Sequence, residues 1–423
     1  MRILLIVKSM MMETLGPMYL SSVIKKNGHE AKIVDLSSAY DYAIKWEPEI
    51  IGYSILTGDR EKFKNLNDRL KKVLKFKSVV GNCDPSFFPE GYDWADEICK
   101  GEGENWINDF LIKERGMVET ANQMIDRSHI NSIPWPDRTS FPNMKVRDFI
   151  TSRGCPYKCS YCYNHRWAEL FPDQKLRVRS VDDVVAEIKH VNPQYAYFQD
   201  SCFGVRMDWM REFAEKYEWE FEGIKYSVPY QCNFRPEMIN PERGELLRKS
   251  GCVAVRMALE SATNRLRSLI GRNTVTLRKV REAVDILKEN RVQVMLQNIL
   301  SLPGSTIEDD LFTLETNIKY KPDYAWASIY VPYPGTDLGD YCKKNGIYKG
   351  NYENITDCFF DQSILEFSEE YKEQSYCLQK IFALCVEVGV MPEISDLTIK
   401  NLPNFIHKAM RKVGDKRLYL GLL

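Results

Sequence analysis

Residues 151–167 read TSRGCPYKCSYCYNHRW, with Cys155, Cys159 and Cys162 separated by three and then two residues. A structural zinc site takes four ligands, usually from paired CxxC or Cys/His sets. The nearest further donors here, Cys202 and His165, stand at no familiar spacing. An iron–sulfur cluster held by three protein thiolates leaves one iron open to a ligand from outside. That arrangement suits a cluster that reacts better than one that only braces a fold. Cys155, Cys159 and Cys162 are therefore expected to be metal ligands.

On either side of this loop, strands and helices alternate. VRDFITSR leads into it, and QYAYFQD, IKYSVPYQC, VAVRMALE, VQVMLQNIL and YAWASIYVP follow as further strands. Amphipathic helices are expected between them over Val181–His190, Pro241–Ser250 and Leu277–Glu289. Six such units would close a partial (β/α)6 barrel with its chemistry at the strand C-termini. Upstream, RILLIV, EAKIVDL, EIIGYSIL, KSVVGN and DEICKGEGE alternate with helices at about thirty residues per unit, as in a doubly wound parallel sheet. The chain thus reads as α/β throughout: a Rossmann-like domain over 1–114, a linker over 115–146, a barrel over 147–345, and a mixed, helical region over 346–423. The linker is aperiodic and carries Pro134, Pro136 and Pro142. In the last region a helix is expected over Glu369–Val388. The aromatics Tyr352, Phe359, Phe360, Tyr371 and Tyr376 read either as core or as part of a lid over the barrel mouth.

Composition excludes other classes. The 423 residues carry a net charge of -1, with 44% hydrophobic and 28% charged residues. Nothing there points to nucleic acid or an anionic membrane. No apolar run approaches a membrane span, and MRILLIVK is too short for a secretory signal. Twelve cysteines without such a signal argue for a reducing, cytoplasmic compartment.

The stretch CxxxCxYC after a strand ending Ser-Arg-Gly resembles the signature of the radical S-adenosylmethionine (radical SAM) superfamily. The resemblance extends to about Gly346 and is to the branch with an N-terminal cobalamin-binding-type domain. It rests on FQDSCF (198–203), RPEMIN through ELLRKSGC (235–252), MALESATNRLRSLIGRNT (257–274), NILSLPGST (298–306) and YPGT (333–336). It implies a [4Fe-4S] cluster whose open iron chelates S-adenosylmethionine. One electron would then release a 5′-deoxyadenosyl radical that abstracts hydrogen from substrate. Tyr161, Asp200, Glu260, Ser261 and Arg272 are the residues it implies for S-adenosylmethionine. Asp200 also reads as a helix cap, Arg272 as a surface ion pair, and Cys202, Cys232 and Cys252 as inert buried thiols.

For cobalamin the implied residues are Leu15, Gly16, Ser54, Thr57, Gly81, Asn82, Gly101, Glu102 and Gly103. Tight strand-to-helix turns would require the same glycines. The chain lacks the Asp-x-His-x-x-Gly motif that supplies a histidine to cobalt, and Asn82 stands where a second glycine is common. With cobalamin, the implied reaction is methyl transfer to an unactivated carbon. Cyclisation or ring rearrangement, a cobalamin-free radical enzyme, and a non-enzymatic iron–sulfur or corrinoid sensor are the other readings. A tRNA-modifying activity is disfavoured for want of a second cysteine trio. The implied partners are a small-molecule or peptide substrate and an electron donor such as flavodoxin or ferredoxin, with no membrane and no nucleic acid.

Overall fold

Five runs near the N-terminus pair in parallel, in the spatial order Glu30–Asp35, Arg2–Val7, Ile50–Ser54, Lys77–Gly81, Glu97–Ile98. In this computed structural model, residues 1–115, 130–221, 224–355 and 359–411 are described. Strand Arg2–Val7 is almost wholly buried because helices cover both faces of the sheet. Leu15–Lys26 and Gly103–Arg115 pack on one face, Ala39–Trp46 and Arg60–Lys71 on the other. The strand order reverses between the first and third strands. At such a switch point a crevice opens beyond the strand C-termini.

The second sheet has six parallel strands in sequential spatial order: Val146–Phe149, Tyr195–Phe198, Tyr230–Phe234, Cys252–Glu260, Gln293–Leu300 and Tyr324–Ile329. The first and sixth are not paired, so the barrel is partial. Alternation sets its two faces. Along the fourth strand, Val255, Met257 and Leu259 enter the core under the helices, which directs Arg256, Ala258 and Glu260 to the concave side. The expected helix Leu277–Glu289 is observed with those bounds, and Val181–Val191 and Pro241–Lys249 agree within a residue.

The third strand departs from expectation. Ile224–Tyr226 pairs antiparallel with Trp219–Phe221, and the barrel strand begins only at Tyr230. Pro229 has no N–H for a ladder and separates the two. Part of the expected linker, 116–129, lies outside the described residues. The rest packs on the first domain: Ser22 Oγ donates to the Trp135 carbonyl at 2.6 Å, and Ser21 Oγ to Asp137 at 2.6 Å. Glu13, buried in the loop after the first strand, accepts from Arg138, from Arg147 at 2.7 Å and from the Asp148 N–H at 2.7 Å. That loop is therefore tied to the first barrel strand.

Helix Glu369–Val388 has the expected bounds. It covers the outer face of the sixth barrel strand, where Tyr371, Cys377, Leu378 and Phe382 join Leu300, Ala327 and Ile329. Tyr376 packs at the edge of the same cluster. Phe360 lies edge-on to Trp326 at 5.1 Å, and Tyr352 meets Phe88 of the first domain at 6.2 Å. No described helix is long and apolar enough to cross a membrane.

The docked helix carries a pH dependence. Tyr371 donates to Asp310 at 2.7 Å, and burial raises the Asp310 carboxyl to about 7. A carboxyl raised on folding favours the protonated native state, so this contribution is complete below the unfolded value near 4 and is lost as pH rises through 7. Urea midpoints should fall across that window by the equivalent of at most about 4 kcal/mol, and Asp310→Asn should flatten the fall. An unchanged slope in the variant would show that Asp310 does not titrate there.

Candidate functional site

Asp200, at the end of the second barrel strand and 1% exposed, anchors the start of the cysteine loop. It accepts from the Thr151 N–H at 3.1 Å, the Thr151 hydroxyl at 2.7 Å and the Ser152 hydroxyl at 2.6 Å. Burial still raises its pKa against these bonds. Its side chain is thus engaged by the loop, not by the residues expected to share an S-adenosylmethionine site with it. The far side of the loop rests on Gly271, whose φ is +69° and where a Cβ would come within 2.5 Å of the Lys158 carbonyl. Ser160 donates to the Ile270 and Leu269 carbonyls at 3.2 and 3.0 Å, and its own carbonyl accepts from Leu338 N–H at 2.8 Å.

Each thiol of the loop has a distinct neighbour. Arg235 Nη1 donates to Cys159 Sγ at 3.0 Å, and Asn164 Nδ2 lies 3.6 Å from Cys162 Sγ. The neighbouring buried Cys202 thiol lowers the pKa of Cys155, whereas burial raises Cys159 and pushes Cys162 up to about 11. His165, the other spare donor noted in the sequence, faces Asp337 at 3.1 Å. Cys232 and Cys252 lie buried 3.9 Å apart, away from the loop in the helix-side core. Among the described residues no three His, Cys, Asp or Glu side chains close around a single-ion point. Three thiols on one loop, two of them facing N–H donors, suit a cluster of several irons, whose sulfurs accept such bonds.

Beside the loop, Tyr161, Glu260 and Arg272 form one buried group. Tyr161 donates to Glu260 at 2.5 Å, and Arg272 Nη1 reaches Glu260 at 3.2 Å and the Tyr161 oxygen at 3.3 Å. Glu260 is placed there by a register shift after Ala258 and has φ +65°. Such backbone strain costs on the order of 1–3 kcal/mol and persists where surrounding contacts impose it. Arg272 is 3% exposed, which rules out a surface ion pair. Its Nη2 bonds the Ala258 carbonyl at 2.5 Å, while its Nε is buried with no partner among the described residues. That orphaned donor fits a small anionic group such as a carboxylate. Ser261 is not in this group: its hydroxyl accepts from the Thr263 N–H at 3.2 Å.

A cavity of about 670 Å³ lies beyond the C-termini of the first sheet. Leu15, Gly16, Ser54, Gly81, Asn82, Gly101, Glu102 and Gly103 all line it. Thr57 does not: its hydroxyl bonds Asp84 at 2.7 Å and Tyr163 at 2.9 Å. The inner wall is apolar, with Leu5, Val7, Ile50 and Val79, and reaches into the slot beside the sheet. At Gly103 a Cβ would come within 2.9 Å of Leu20, so glycine lets this helix start pack closely against Leu20. Asn82 has φ 98° and ψ -167°, a region that otherwise belongs to glycine. Its side chain secures it there, accepting from Cys83 N–H at 2.7 Å and donating to Ser54 at 3.1 Å. The cavity's other wall is the cysteine loop itself, through Ser152, Arg153, Gly154 and Asn164. A broad, mostly apolar space with polar strand ends at its rim fits a large ring cofactor.

Arg153 joins the two walls. It bonds Glu104 at 2.7 Å, reaches Glu102 at 3.5 Å and lies 4.8 Å over the Tyr19 ring. Glu102 is also paired with Arg177. Glu102 therefore lines the cavity but spends its charge across the domain interface. Nearby, Phe87 stacks on Tyr163 at 4.5 Å and fits over Gly335, where a Cβ would come within 2.9 Å of its ring. Sequence reasoning did not single out Arg153, Asn164 or Arg235 as interacting residues. The available signal was the acid-rich GEGE turn opposite the Ser-Arg-Gly that opens the cysteine loop.

Residues 149–315 match the family model described as the Radical SAM superfamily. The chain is 24% identical over 79% of its length to a protein named an uncharacterized methyltransferase of Pyrococcus horikoshii, covering 79% of that relative. It is 30% identical over 76% of its length to the anaerobic magnesium-protoporphyrin IX monomethyl ester cyclase of Cereibacter sphaeroides, of which it spans 58%. The fold superposes over 97% of the chain, with a TM-score of 0.68, on the radical S-adenosylmethionine methyltransferase TsrM of Kitasatospora setae, a structure with cobalamin and a [4Fe-4S] cluster bound. The identity is 13% over 99% of that protein, so the likeness is one of fold.

Replacing Arg153 removes the guanidinium that bonds the buried Glu104 and lies over the Tyr19 ring. Arg153→Met should cost about 3–5 kcal/mol in denaturant unfolding, as expected when one partner of a buried pair is lost. A loss below about 1 kcal/mol would place the clamp among surface pairs.

Proposed function

The chain carries a radical SAM superfamily domain over residues 149–315, and from that premise we propose a corrinoid-dependent radical methyltransferase. In this reading Cys155, Cys159 and Cys162 hold a [4Fe-4S] cluster, and S-adenosylmethionine occupies the iron they leave open. Bound together, these groups supply one-electron cleavage of S-adenosylmethionine to a carbon radical, and the corrinoid supplies the methyl group. The observation that carries the proposal is the shared wall: Ser152, Arg153, Gly154 and Asn164 of the cysteine loop also line the cavity at the end of the first sheet. A ring cofactor held there would lie against the loop that starts the chemistry.

The chain's own residues have definite tasks. The buried Arg272 would take the carboxylate of S-adenosylmethionine on its free Nε. Tyr161 and Glu260 hold that guanidinium in place through their shared bonds. Gly16, Gly81, Gly101 and Gly103 present bare backbone to the cavity, and Leu5, Ile50 and Val79 form the dry inner wall. Water exclusion matters because a carbon radical must meet its partner before any competing donor. The substrate would be a small molecule or peptide, and an external one-electron protein donor would serve the cluster. Cyclisation is the second reading, favoured by the 30% identity to a cyclase.

Protein produced anaerobically with cobalamin should carry corrinoid and iron–sulfur absorption together, with a stoichiometric corrinoid in its extract. Iron–sulfur absorption alone would sink the corrinoid part. The Cys155→Ala, Cys159→Ala, Cys162→Ala triple variant should lose the four-iron cluster and S-adenosylmethionine cleavage. Retention of either would defeat the central assignment. Product mass separates the two readings: methyl transfer adds a methylene unit, and ring closure removes two hydrogens.

A further inference from the structure

We infer that Arg235 sets the reduction potential of the cluster proposed on Cys155, Cys159 and Cys162, through its N–H donated to Cys159. The inference rests on that cluster being present. Arg235 follows the third barrel strand and is 5% exposed. Its Nη1 lies 3.0 Å from Cys159 Sγ, closer than Asn164 comes to Cys162 at 3.6 Å. Arg272, the other guanidinium near Cys159, turns its donors to Glu260, Tyr161 and the Ala258 carbonyl. Arg235 thus points a charge-assisted N–H at one ligating sulfur.

The guanidinium is held on three sides. Glu237 takes Nε at 2.8 Å and Nη2 at 2.7 Å, and Thr274 donates to the same carboxylate oxygen at 2.9 Å. The face of the guanidinium lies 3.9 Å from the ring centroid of Tyr157, a residue of the cysteine loop between Cys155 and Cys159. Such a fork has little freedom to turn away when charge builds on the sulfur. In a buried setting, a charge-assisted bond of this kind is strong.

The electron balance gives the sign. Reduction adds one electron, from dithionite in the assay, and spreads it over the irons and sulfurs. A cation and an N–H at one sulfur favour that more negative form over the oxidised one. Hydrogen bonds to cluster sulfurs are among the determinants of cluster potential. Removing Arg235 should therefore make the cluster harder to reduce. A residue that only braces the loop would change iron content and leave the midpoint alone.

The test is a redox titration of the anaerobically reconstituted full chain, followed by electron paramagnetic resonance without S-adenosylmethionine. Iron and sulfide are counted on the same samples. Arg235→Met should load the cluster and lower its midpoint, so that at a fixed potential the reduced-to-oxidised ratio falls about tenfold, ~59 mV for one electron. Arg235→Lys, which keeps the charge without the fork, should fall between it and the parent. Asn164→Leu, at the longer and neutral contact, should shift less than Arg235→Met. An unchanged midpoint in any loaded Arg235 variant overturns the inference. So does loss of iron from both Arg235 variants, which would assign the residue to holding the loop. If the parent chain itself takes up no four-iron cluster, it is the proposed function that fails.

Discussion

The site depends on the Arg153 guanidinium held between Glu102 and Glu104. Each sheet presents its chemistry at its strand C-termini, as open α/β sheets do. A sheet end alone makes one wall, and a cavity needs two. Arg153 belongs to the cysteine loop and its carboxylates to the glycine-rich turn of the first sheet, so the ion pair brings the two ends face to face. Burial raises the cost of parting them, because separation would strand charge in a poorly solvated place. The Phe87–Tyr163 stack secures the same interface without charge. Its fit over Gly335 explains why a glycine, not merely a turn residue, is required in the YPGT turn.

Two non-glycine residues with positive φ stand beside the proposed ligand positions, Asn82 on the cavity and Glu260 next to the cysteine loop. Glu260 has φ +65° and Asn82 φ +98°. Neither conformation is comfortable for an L residue, and each is held by its own side chain: Glu260 by Tyr161 and Arg272, Asn82 by Cys83 and Ser54. The strain and the bonds that oppose it occur at the positions proposed to meet the ligands. That is where backbone strain persists when surrounding structure over-determines it.

The cysteine spacing, the strand runs and the longer helices were legible because each is local. Leu277–Glu289 and Glu369–Val388 announce themselves by period and caps alone. What failed was long-range pairing. Asp200, at a strand end, reads equally as a ligand-binding acid and as a cap, and only the fold brings Thr151 and Ser152 to it. Glu102 lies in a glycine-rich turn, and only the fold brings Arg153 and Arg177 to it. Thr57 is close in sequence to Ser54 yet bonds to Asp84 and Tyr163. The helix Glu369–Val388 was readable as a helix, but its place on the outer face of the sixth strand depends on the open edge of the barrel. Spacing carries no information about which open edge a distant helix will cover.

The shared wall has an energetic consequence. A ligand in the cavity touches Arg153, Gly154 and Asn164, and these residues are continuous with the cysteine loop. Asn164 lies near Cys162 on one side and bonds Ser201 at 2.9 Å on the other. A contact made from the cavity side and one made from the cysteine side therefore act on the same loop. Coupling between two binding events is reciprocal by thermodynamic necessity. Asn164, on the cavity wall and 3.6 Å from Cys162, is a residue through which the cavity and the cysteine loop meet.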